Sequence, residues 1–286
     1  MNVARHPEDD QHTLWNGPAG RTWAEAQGLL DRFFEPIEGL LADAVAAAPR
    51  ALVLDVGCGT GATTVAAARR LGAGGRCVGV DLSGPMLEVA RARAEREGVP
   101  ATFVLADAQA HAFEPASFDL IISRFGVMFF DDPVRAFANL RRAARDDAEL
   151  RLVAWRSAED NPFMTTAERA AAPLVPNLPA RRPDGPGQFA FADRSRVQHI
   201  LEGGGWTDVD VRAIDIPCTL PEKELVPYLT RLGPLGRALS EVDEQTRARV
   251  LEVVRPAFDP YVHGDEVRVT AACWLISGRA SAGSLP

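Results

Sequence analysis

Short apolar runs alternate with helical patterns along the first half of the chain. Five such runs, rich in Val, Ile, Leu and Phe, occupy residues 53–56, 76–81, 101–106, 118–122 and 149–155, and segments with helical spacing separate most of them. Strands that alternate with helices predict βαβ units, and therefore a parallel sheet covered by helices. In such a sheet, ligands bind outside the carboxyl ends of the strands.

The alternation stops after residue 155, where two long insertions interrupt the remaining strands. A proline-rich segment covers about 156–192, a helix capped by Asp193 follows, and a strand pattern begins at Trp206. A second, helical insertion covers about 221–265 and precedes a final apolar strand. Long insertions at the ligand edge of a sheet commonly form lids, so we expect both insertions to cover a binding site.

An amphipathic helix precedes the first strand and defines an N-terminal helical cap over residues 1–48, ahead of a second region at 49–286. The helix is expected to be kinked or broken at Pro36, because proline lacks the N–H that a helix interior needs. Trp15 and Trp23 lie before it, and each suits core packing as well as a ligand contact. The apolar face of the helix consists of Leu29, Leu30, Phe33, Phe34, Ile37, Leu40 and Leu41.

Three glycines follow the first strand and indicate a nucleotide-binding turn. Gly57, Gly59 and Gly61 alternate with other residues, and a helical pattern starts directly after them. Glycine tolerates positive φ and lets the backbone approach a ligand, while the helix presents unpaired N–H groups above the strand. The glycines alone leave two cofactors open, because Gly57, Gly59 and Ala62 also satisfy the G-x-G-x-x-A pattern of dinucleotide-binding folds.

Asp55 favours one of the two cofactors. Its carboxylate stands two residues before the first glycine, where it would repel a pyrophosphate and would suit a cofactor with an amino group and a sulfonium. The segment from Leu54 to Gly61, L-D-V-G-C-G-T-G, resembles the first motif of the class I S-adenosylmethionine (SAM) dependent methyltransferases. The resemblance is strongest over 51–155 and is closest to quinone-biosynthesis C-methyltransferases and other small-molecule methyltransferases.

This resemblance implies a Rossmann-like, doubly wound sheet of seven strands, whose last strand is antiparallel and pairs with the sixth around the second insertion. It also implies SAM as the cofactor, and methyl transfer to an oxygen, nitrogen or carbon atom of a small molecule. An NAD-dependent oxidoreductase on a related fold and a non-catalytic SAM-binding protein are the alternatives. The oxidoreductase would bind NADH and would not need Asp55.

Polar residues at the ends of the next strands extend the expected cofactor site. Asp81 ends the second strand about 20 residues after the glycine turn, where a carboxylate binds ribose hydroxyls, and Ser83 is the better candidate to cap the following helix. Asp107 follows the third strand, where similar methyltransferases bind the adenine amino group, although a lone Asp there also suits a turn. The expected cofactor contacts are Asp55, Gly57, Cys58, Gly59, Gly61, Asp81, Leu82, Met86, Asp107, Ala108, Ser123 and Arg124.

Two patterns known from related methyltransferases are missing. Enzymes that methylate amino groups of bases or of glutamine resemble one another in an Asn/Asp-Pro-Pro-aromatic loop after the fourth strand, and residues 123–126 read Ser-Arg-Phe-Gly there. Residues 161–163 read Asn-Pro-Phe, a partial match that follows the next strand. Related methyltransferases usually have a Pro-Gly-Gly turn before the fifth strand. Residues 145–148 read Arg-Asp-Asp-Ala instead, which leaves the shape of that turn open.

Composition limits the partners of the chain. Its 286 residues are 47% hydrophobic and carry a net charge of −8, so they can bury a large core but lack the basic surface that nucleic acids require. We find no apolar run of membrane-spanning length and no signal peptide, so we expect a cytoplasmic protein, and a homodimer stays open.

Asp131 and Asp132 are better suited to capping a helix than to binding Mg²⁺, since no third acid has matching spacing. No metal or disulfide is expected from the scattered Cys58, Cys77, Cys218 and Cys273.

Methyl transfer from SAM requires little acid or base chemistry, because the substrate attacks the methyl group in line. A dry pocket that aligns the reactants supplies most of the effect, about 7–11 kcal/mol in favourable cases. The five histidines are isolated in sequence, so no catalytic base is assigned, and the resemblance does not identify the substrate. Apolar candidates for the pocket, each also suited to the core, are Trp15, Phe125, Met128, Phe129, Trp155 and Phe163.

Overall fold

A computed structural model describes residues 11–48, 51–176, 178 and 185–281 of the chain. Its strands are β1 (Leu52–Val56), β2 (Arg76–Asp81), β3 (Ala101–Leu105), β4 (Phe118–Arg124), β5 (Ala144–Trp155), β6 (Thr207–Pro221), β7 (Val262–His263) and β8 (Glu266–Arg279). Its α-helices are α1 (Gln11–Asn16), α2 (Pro18–Glu25), α3 (Gln27–Ala46), α4 (Ala62–Arg70), α5 (Gly84–Glu97), α6 (Pro133–Ala143), α7 (Phe163–Ala171), α8 (Arg194–Gly203), α9 (Leu225–Arg231), α10 (Gly233–Leu239) and α11 (Glu244–Val254). Short 3₁₀ helices span Val127–Phe129, Glu222–Glu224 and Pro256–Tyr261.

The strands form one sheet in the order β3-β2-β1-β4-β5-β8-β6, and the two-residue β7 pairs with β8. Strands β1 to β5 are parallel, whereas β8 runs antiparallel to both β5 and β6. This confirms the expected doubly wound sheet with an antiparallel last strand, and β7 is an addition that is too short to carry a hydrophobic period. The strand order reverses between β1 and β4, which is where doubly wound sheets bind ligands.

Separate apolar clusters form on the two faces of the sheet. Ile121 and Ile122 are neighbours on β4, yet they belong to different clusters, because successive side chains of a strand point to opposite faces. The Ile122 cluster includes Ala67 and Ala68 of α4 and Val45 of α3, and α3 contacts both α4 and the sheet. Helix α4 is therefore buried over Ala62 to Ala68 and is held firmly behind the glycine turn.

Helix α3 runs without interruption through Pro36, so of the expected kink or break the break does not occur. The buried side chains Phe33, Ile37 and Leu41 lie on both sides of the proline, and Pro36 itself is exposed. Each large apolar side chain gains about 1.5–3 kcal/mol on burial, and together they outweigh the cost of about 3 kcal/mol for a proline inside a helix. The continuous helix brings aromatic side chains to the carboxyl edge of the sheet.

An aspartate inside β5, Asp147, adopts a turn-like backbone where related methyltransferases have glycines. Helix α6 ends at Ala143 and β5 begins at Ala144, earlier than the expected start at residue 149. Asp147 has a φ of 65°, and its N–H donates to the carbonyl of Ala280 at 2.7 Å. Aspartate enters the left-handed region more readily than most side chains, so the turn forms without Pro-Gly-Gly.

The two insertions pack against each other at one side of the sheet. Helix α7 of the first insertion contacts α10 and α11 of the second. The helical spacing of Leu225, Tyr228, Leu229 and Leu232 predicts one shared helix face, and the three leucines are buried while Tyr228 is half-buried. Within the first insertion, residue 177 and residues 179–184 lie outside the described part of the chain.

Asn161 fastens the first insertion to β8. Its side-chain amide donates to the carbonyl of Ala272 at 2.9 Å, and its Oδ1 accepts the N–H of Ala272 at 2.9 Å. The residue is fully buried, and the amide also donates to the carbonyl of Ser157. The Asn-Pro-Phe sequence therefore has a structural role. These hydrogen bonds to the backbone explain the buried Asn161 without a base-methylating loop.

Candidate active site

Two loops touch where the strand order reverses, at the ends of β1 and β4. Gly57, Gly59 and Gly61 have φ values of 68°, 53° and 80°. A Cβ atom on Gly57 would lie 2.6 Å from the Cα of Gly126, and a Cβ on Gly126 would lie 2.5 Å from the carbonyl oxygen of Val56. Neither position accepts a side chain. The close contact at Gly126 was not predicted from the sequence, although a glycine in the loop after β4 is a recognisable sign of close backbone approach.

Asp81 joins the glycine turn to the loop after β2. Its Oδ2 accepts the N–H of Gly59 at 2.7 Å, and its Oδ1 accepts the N–H of Ser83 at 2.8 Å. Burial raises the pKa of Asp81, and the backbone N–H groups of Ser83 and Gly59 oppose that rise. Each carboxylate oxygen keeps a second lone pair, so Asp81 can still accept hydrogen bonds from hydroxyl groups of a ligand.

The side chains beside the glycine turn are apolar or neutral. Met86 is buried, and its Sδ lies 3.7 Å from the point where a Cβ of Gly59 would be. Cys58 is also buried, and burial raises the pKa of its thiol well above the usual value. The serine cap of α5 is confirmed, because Ser83 Oγ accepts the N–H of Met86.

Asp55 is a buried carboxylate at the end of β1. It is 1% exposed, and its Oδ2 accepts the hydroxyl of Thr64 at 2.6 Å. Burial raises its pKa from 3.8 to about 7, while the Thr64 hydrogen bond and the charge of Arg124 act in the opposite direction. The charge of Asp55 at neutral pH therefore depends on its neighbours, and a cation placed beside it would favour the ionised form.

Arg124 lies on the same face of the sheet as Asp55. Asp55 pairs with Ile122 in the register of β1 and β4, and Arg124 follows Ile122 by two residues. The Arg124 guanidinium lies 5.8 Å from the ring centroid of Phe34, and its buried Nη1 has no hydrogen-bond partner within the described ranges. Burial lowers the pKa of Arg124. The charged groups that affect it are Glu38, Asp31, Asp55 and Arg93.

A buried guanidinium N–H without an acceptor is uncommon and costly, because it has lost water and gained no partner. Glu38 of α3 is the acid with the largest effect on Arg124, and burial raises the pKa of Glu38 in turn. No hydrogen bond joins the two side chains among the described contacts. Arg124 therefore has an unused donor that a carboxylate of a ligand can accept.

The hydroxyl of Ser123 is used within the protein. It donates to the carbonyl of Val56 at 2.6 Å and accepts the N–H of Gly126 at 3.2 Å. These two bonds hold the loop after β4 against the end of β1. Ser123 is thus placed at the site as expected, but as a support for the two touching loops.

Asp107 forms a turn at the end of β3. It is exposed, and its Oδ1 accepts the N–H of Gln109 at 2.9 Å. The side-chain oxygen of Gln109 accepts the N–H groups of Asp131 and Asp132, which ties this turn to the loop after β4. The turn-forming alternative is therefore present in the structure. The hydrogen bond to Gln109 leaves carboxylate lone pairs for a ligand amino group.

The N-terminal cap is clamped to the loop after β2. Asn16 donates from Nδ2 to the carbonyl of Leu82 at 2.9 Å and accepts the N–H of Gly84 at 3.0 Å. Ser83 Oγ donates to the carbonyl of Trp15 at 2.7 Å. The Trp15 ring lies perpendicular to the ring of Phe129, with 5.4 Å between centroids. The cap therefore connects the loops after β2 and β4.

Aromatic side chains from distant parts of the chain meet beside this site. Phe125 and Trp155 stack with 4.3 Å between ring centroids and 4° between planes. Phe34 lies 5.5 Å from Phe125, and Phe163 lies 6.2 Å from Trp155. We call the group formed by Phe33, Phe34, Phe125, Trp155, Phe163 and Tyr228 the aromatic cluster.

Phe125 adopts an unusual backbone conformation within this cluster. Its φ is 66°, a region that bulky side chains rarely enter and that costs about 1–3 kcal/mol. Its N–H donates to the carbonyl of Val153 at 2.9 Å. Met128, in contrast, is 1% exposed and its Sδ accepts the backbone N–H of Trp155, so the structure places Met128 in the core.

Histidines and acids elsewhere have structural or surface positions. His111 packs on Phe113 with 4.6 Å between ring centroids, and His263 is exposed on β7. Asp132 caps α6 by accepting the N–H of Arg135, as expected. In the part of the chain that the structure describes, no group of three or more His, Cys, Asp or Glu residues could hold a metal ion. None of the described helices has the length and apolar character required to span a membrane.

Comparisons with known proteins identify methyltransferases as relatives of this chain. A family model described as a methyltransferase domain matches residues 53–147. The chain is 36% identical over 268 residues to nocamycin O-methyltransferase of Saccharothrix syringae, covering 89% of this chain and 94% of the relative. It is 28% identical over 184 residues to demethylmenaquinone methyltransferase of Renibacterium salmoninarum, covering 62% and 75%. The YcgJ protein of Bacillus subtilis has a similar fold, with a TM-score of 0.56, 19% identity and coverage of 86% of this chain and 98% of that chain.

Asp55→Asn should stabilise the free protein at neutral and alkaline pH. Because folding raises the pKa of Asp55 from 3.8 to about 7, the wild type loses stability as pH rises from 3.8 to about 7, and the loss is complete above that window. Asparagine still accepts the Thr64 hydroxyl but buries no charge, so its advantage should grow over the same window by about 4 kcal/mol.

Urea unfolding at pH 4, 6 and 8 measures this advantage, with the exposed Asp146→Asn as the matched control. An advantage of Asp55→Asn that is the same at pH 4 and pH 8 would contradict the raised pKa of Asp55. Equal behaviour of the two variants would contradict it as well.

Proposed function

The chain belongs to the class I SAM-dependent methyltransferases, and we propose that it methylates an oxygen atom of a small molecule within the aromatic cluster. The relative that covers nearly the whole chain is named as an O-methyltransferase, which supports oxygen as the nucleophile. The net charge of −8 supports a small-molecule substrate in preference to a nucleic acid.

One observation carries the assignment of the cofactor contacts. Asp55 is a buried carboxylate and Arg124 is a buried guanidinium with an unused donor, and both lie on one face of the sheet beside the glycine turn. The amino-acid end of SAM bears an ammonium group and a carboxylate. We propose that Asp55 faces the ammonium and Arg124 the carboxylate, so that each buried charge gains a partner of opposite sign.

The remaining cofactor contacts follow from the ends of β2 and β3. Asp81 keeps free lone pairs toward the glycine turn and would accept the ribose hydroxyls. Asp107 and Ala108 would contact the adenine edge, and Met86 would pack on the adenine face. Gly57, Gly59 and Gly61 would leave room for the cofactor beside the backbone, where side chains would obstruct it.

The protein contributes mainly alignment and the exclusion of water. When bound, SAM supplies a methyl group on a positively charged sulfur as the electrophile for an in-line displacement. The clamp formed by Asn16 and Ser83 would hold the N-terminal cap over the cofactor, and the aromatic cluster would exclude water from the nucleophile. Alignment of this kind is worth about 7–11 kcal/mol in favourable cases, and it needs no histidine base.

Arg124→Met should weaken binding of S-adenosylhomocysteine (SAH) about 10- to 100-fold, because a charge-assisted hydrogen bond to its carboxylate is lost. The same variant should bind methylthioadenosine as the wild type does, since that molecule has the adenosine part but no amino-acid end. Asp81→Ala is the matched control, and it should weaken both ligands. Calorimetric titration measures all three proteins.

Equal loss of both ligands in Arg124→Met, or no loss of either, would contradict the role proposed for Arg124. If the wild type binds NADH and neither SAH nor SAM, the cofactor site itself is assigned wrongly.

Methyl transfer is tested with deuterated-methyl SAM and a panel of phenols, enols, carboxylic acids and amines, read by mass spectrometry. We expect a labelled methyl group on at least one oxygen compound, and about a hundredfold slower transfer by Asp81→Ala at limiting SAM. Labelling of amines alone would contradict an oxygen nucleophile.

A further inference from the structure

Gln109 joins the loop after β3 to the loop after β4. The two strands are not neighbours, because β2 and β1 lie between them in the sheet. The side-chain oxygen Oε1 of Gln109 nevertheless accepts the N–H of Asp131 at 2.7 Å and the N–H of Asp132 at 3.1 Å, next to the first turn of α6. One side chain therefore connects the loops that follow two separated strands.

The amide of Gln109 also holds the carboxylate of Asp107. Its Nε2 lies 3.3 Å from Oδ1 and 3.4 Å from Oδ2 of Asp107, and its backbone N–H donates to Oδ1 at 2.9 Å. The surroundings determine which end of the amide is the oxygen, because two backbone N–H groups need an acceptor on one side and a carboxylate needs a donor on the other. The amide nitrogen of Gln109 therefore faces Asp107.

The turn after β3 has supports that do not involve Gln109. Asn139 of α6 is buried, and its Nδ2 donates to the carbonyls of Ala108 and His111 at 2.9 and 3.0 Å. The N–H of His111 donates to the carbonyl of Asp107 at 2.8 Å. Because these bonds hold the backbone of the turn, the side chain of Gln109 is left to determine the orientation of the Asp107 carboxylate.

An exposed carboxylate needs such a partner if it is to select a ligand. Asp107 is exposed, and without a partner its side chain would exchange among several rotamers in water. A side chain that is ordered beforehand loses less conformational entropy when a ligand binds. An ionised carboxylate accepts hydrogen bonds and donates none, so it favours an N–H of a ligand over a C–H at the same place.

We propose that Gln109 is a positioning residue that orients Asp107 toward the exocyclic amino group of adenine, and that it thereby makes the site selective for an amino-bearing purine. This inference rests on the proposed function, in which Asp107 contacts the adenine edge. The amide oxygen of Gln109 is occupied by two backbone N–H groups and its nitrogen faces Asp107, so Gln109 acts through Asp107 and not on the cofactor directly.

The test compares SAH with an analogue of SAH whose base is purine and which lacks only the exocyclic amino group. Calorimetric titration gives the ratio of the two dissociation constants for each protein. The wild type should bind SAH about tenfold more tightly, since the analogue lacks one charge-assisted hydrogen bond. Gln109→Met removes both the donor and the acceptor of the amide, and the ratio should fall to about threefold or less.

Gln109→Glu separates the orientation of Asp107 from the support of the loop. Glutamate still accepts the two N–H groups before α6, but it cannot donate to Asp107, and its second oxygen repels that carboxylate. The ratio should therefore fall to about threefold or less in this variant too. Gln198→Glu is the matched control, because Gln198 donates to the Glu202 carboxylate at 2.8 Å on the surface of α8, and it should keep the wild-type ratio.

The inference is overturned if Gln109→Glu keeps the wild-type ratio, since the link between the two loops would then be enough. It is also overturned if the wild type binds SAH and its purine analogue equally, or if Gln198→Glu loses the selectivity as well. These outcomes leave the proposed function standing as long as SAH binds. Failure of the wild type to bind SAH rejects the proposed function itself.

Discussion

A carboxylate buried at the end of the central strand is unfavourable unless a cation lies beside it, and the site is organised around this constraint. Asp55 has a hydroxyl partner in Thr64, yet burial still raises its pKa to about 7. Arg124 on the neighbouring strand has a buried N–H donor without an acceptor. A ligand with an ammonium and a carboxylate would satisfy both groups, as we propose for SAM, and its binding would restore stability that the free protein lacks.

Hydrogen bonds connect this charged pair to the parts of the protein that cover it. Asp81 accepts N–H groups from the glycine turn and from the loop after β2, and Ser83 and Asn16 join that loop to the N-terminal cap. On the other side, contact between Gly57 and Gly126 fixes the loop that carries Arg124 and Phe125. The glycine turn, the loop after β2 and the N-terminal cap are therefore joined by one continuous set of hydrogen bonds.

The sequence predicts the features that depend on residues close together in the chain. It fails where contacts between distant residues determine the structure. The strands, the glycine turn and the caps at Ser83 and Asp132 follow from local patterns. Of the kink or break expected at Pro36, the break in α3 does not occur, because packing on both sides of Pro36 outweighs the low helix propensity of proline. Asn16 carried no local signal, since its partners lie 66 and 68 residues away.

The most direct measurement is the number of protons released when SAH binds, from calorimetry in buffers of different ionisation enthalpy. At pH 6 Asp55 is mostly protonated in the free protein, and an ammonium beside it favours the carboxylate. The account predicts release of about one proton per SAH at pH 6, little release at pH 8, and none from Asp55→Asn at either pH. Equal proton release by the variant and the wild type, or none by the wild type at pH 6, would contradict it.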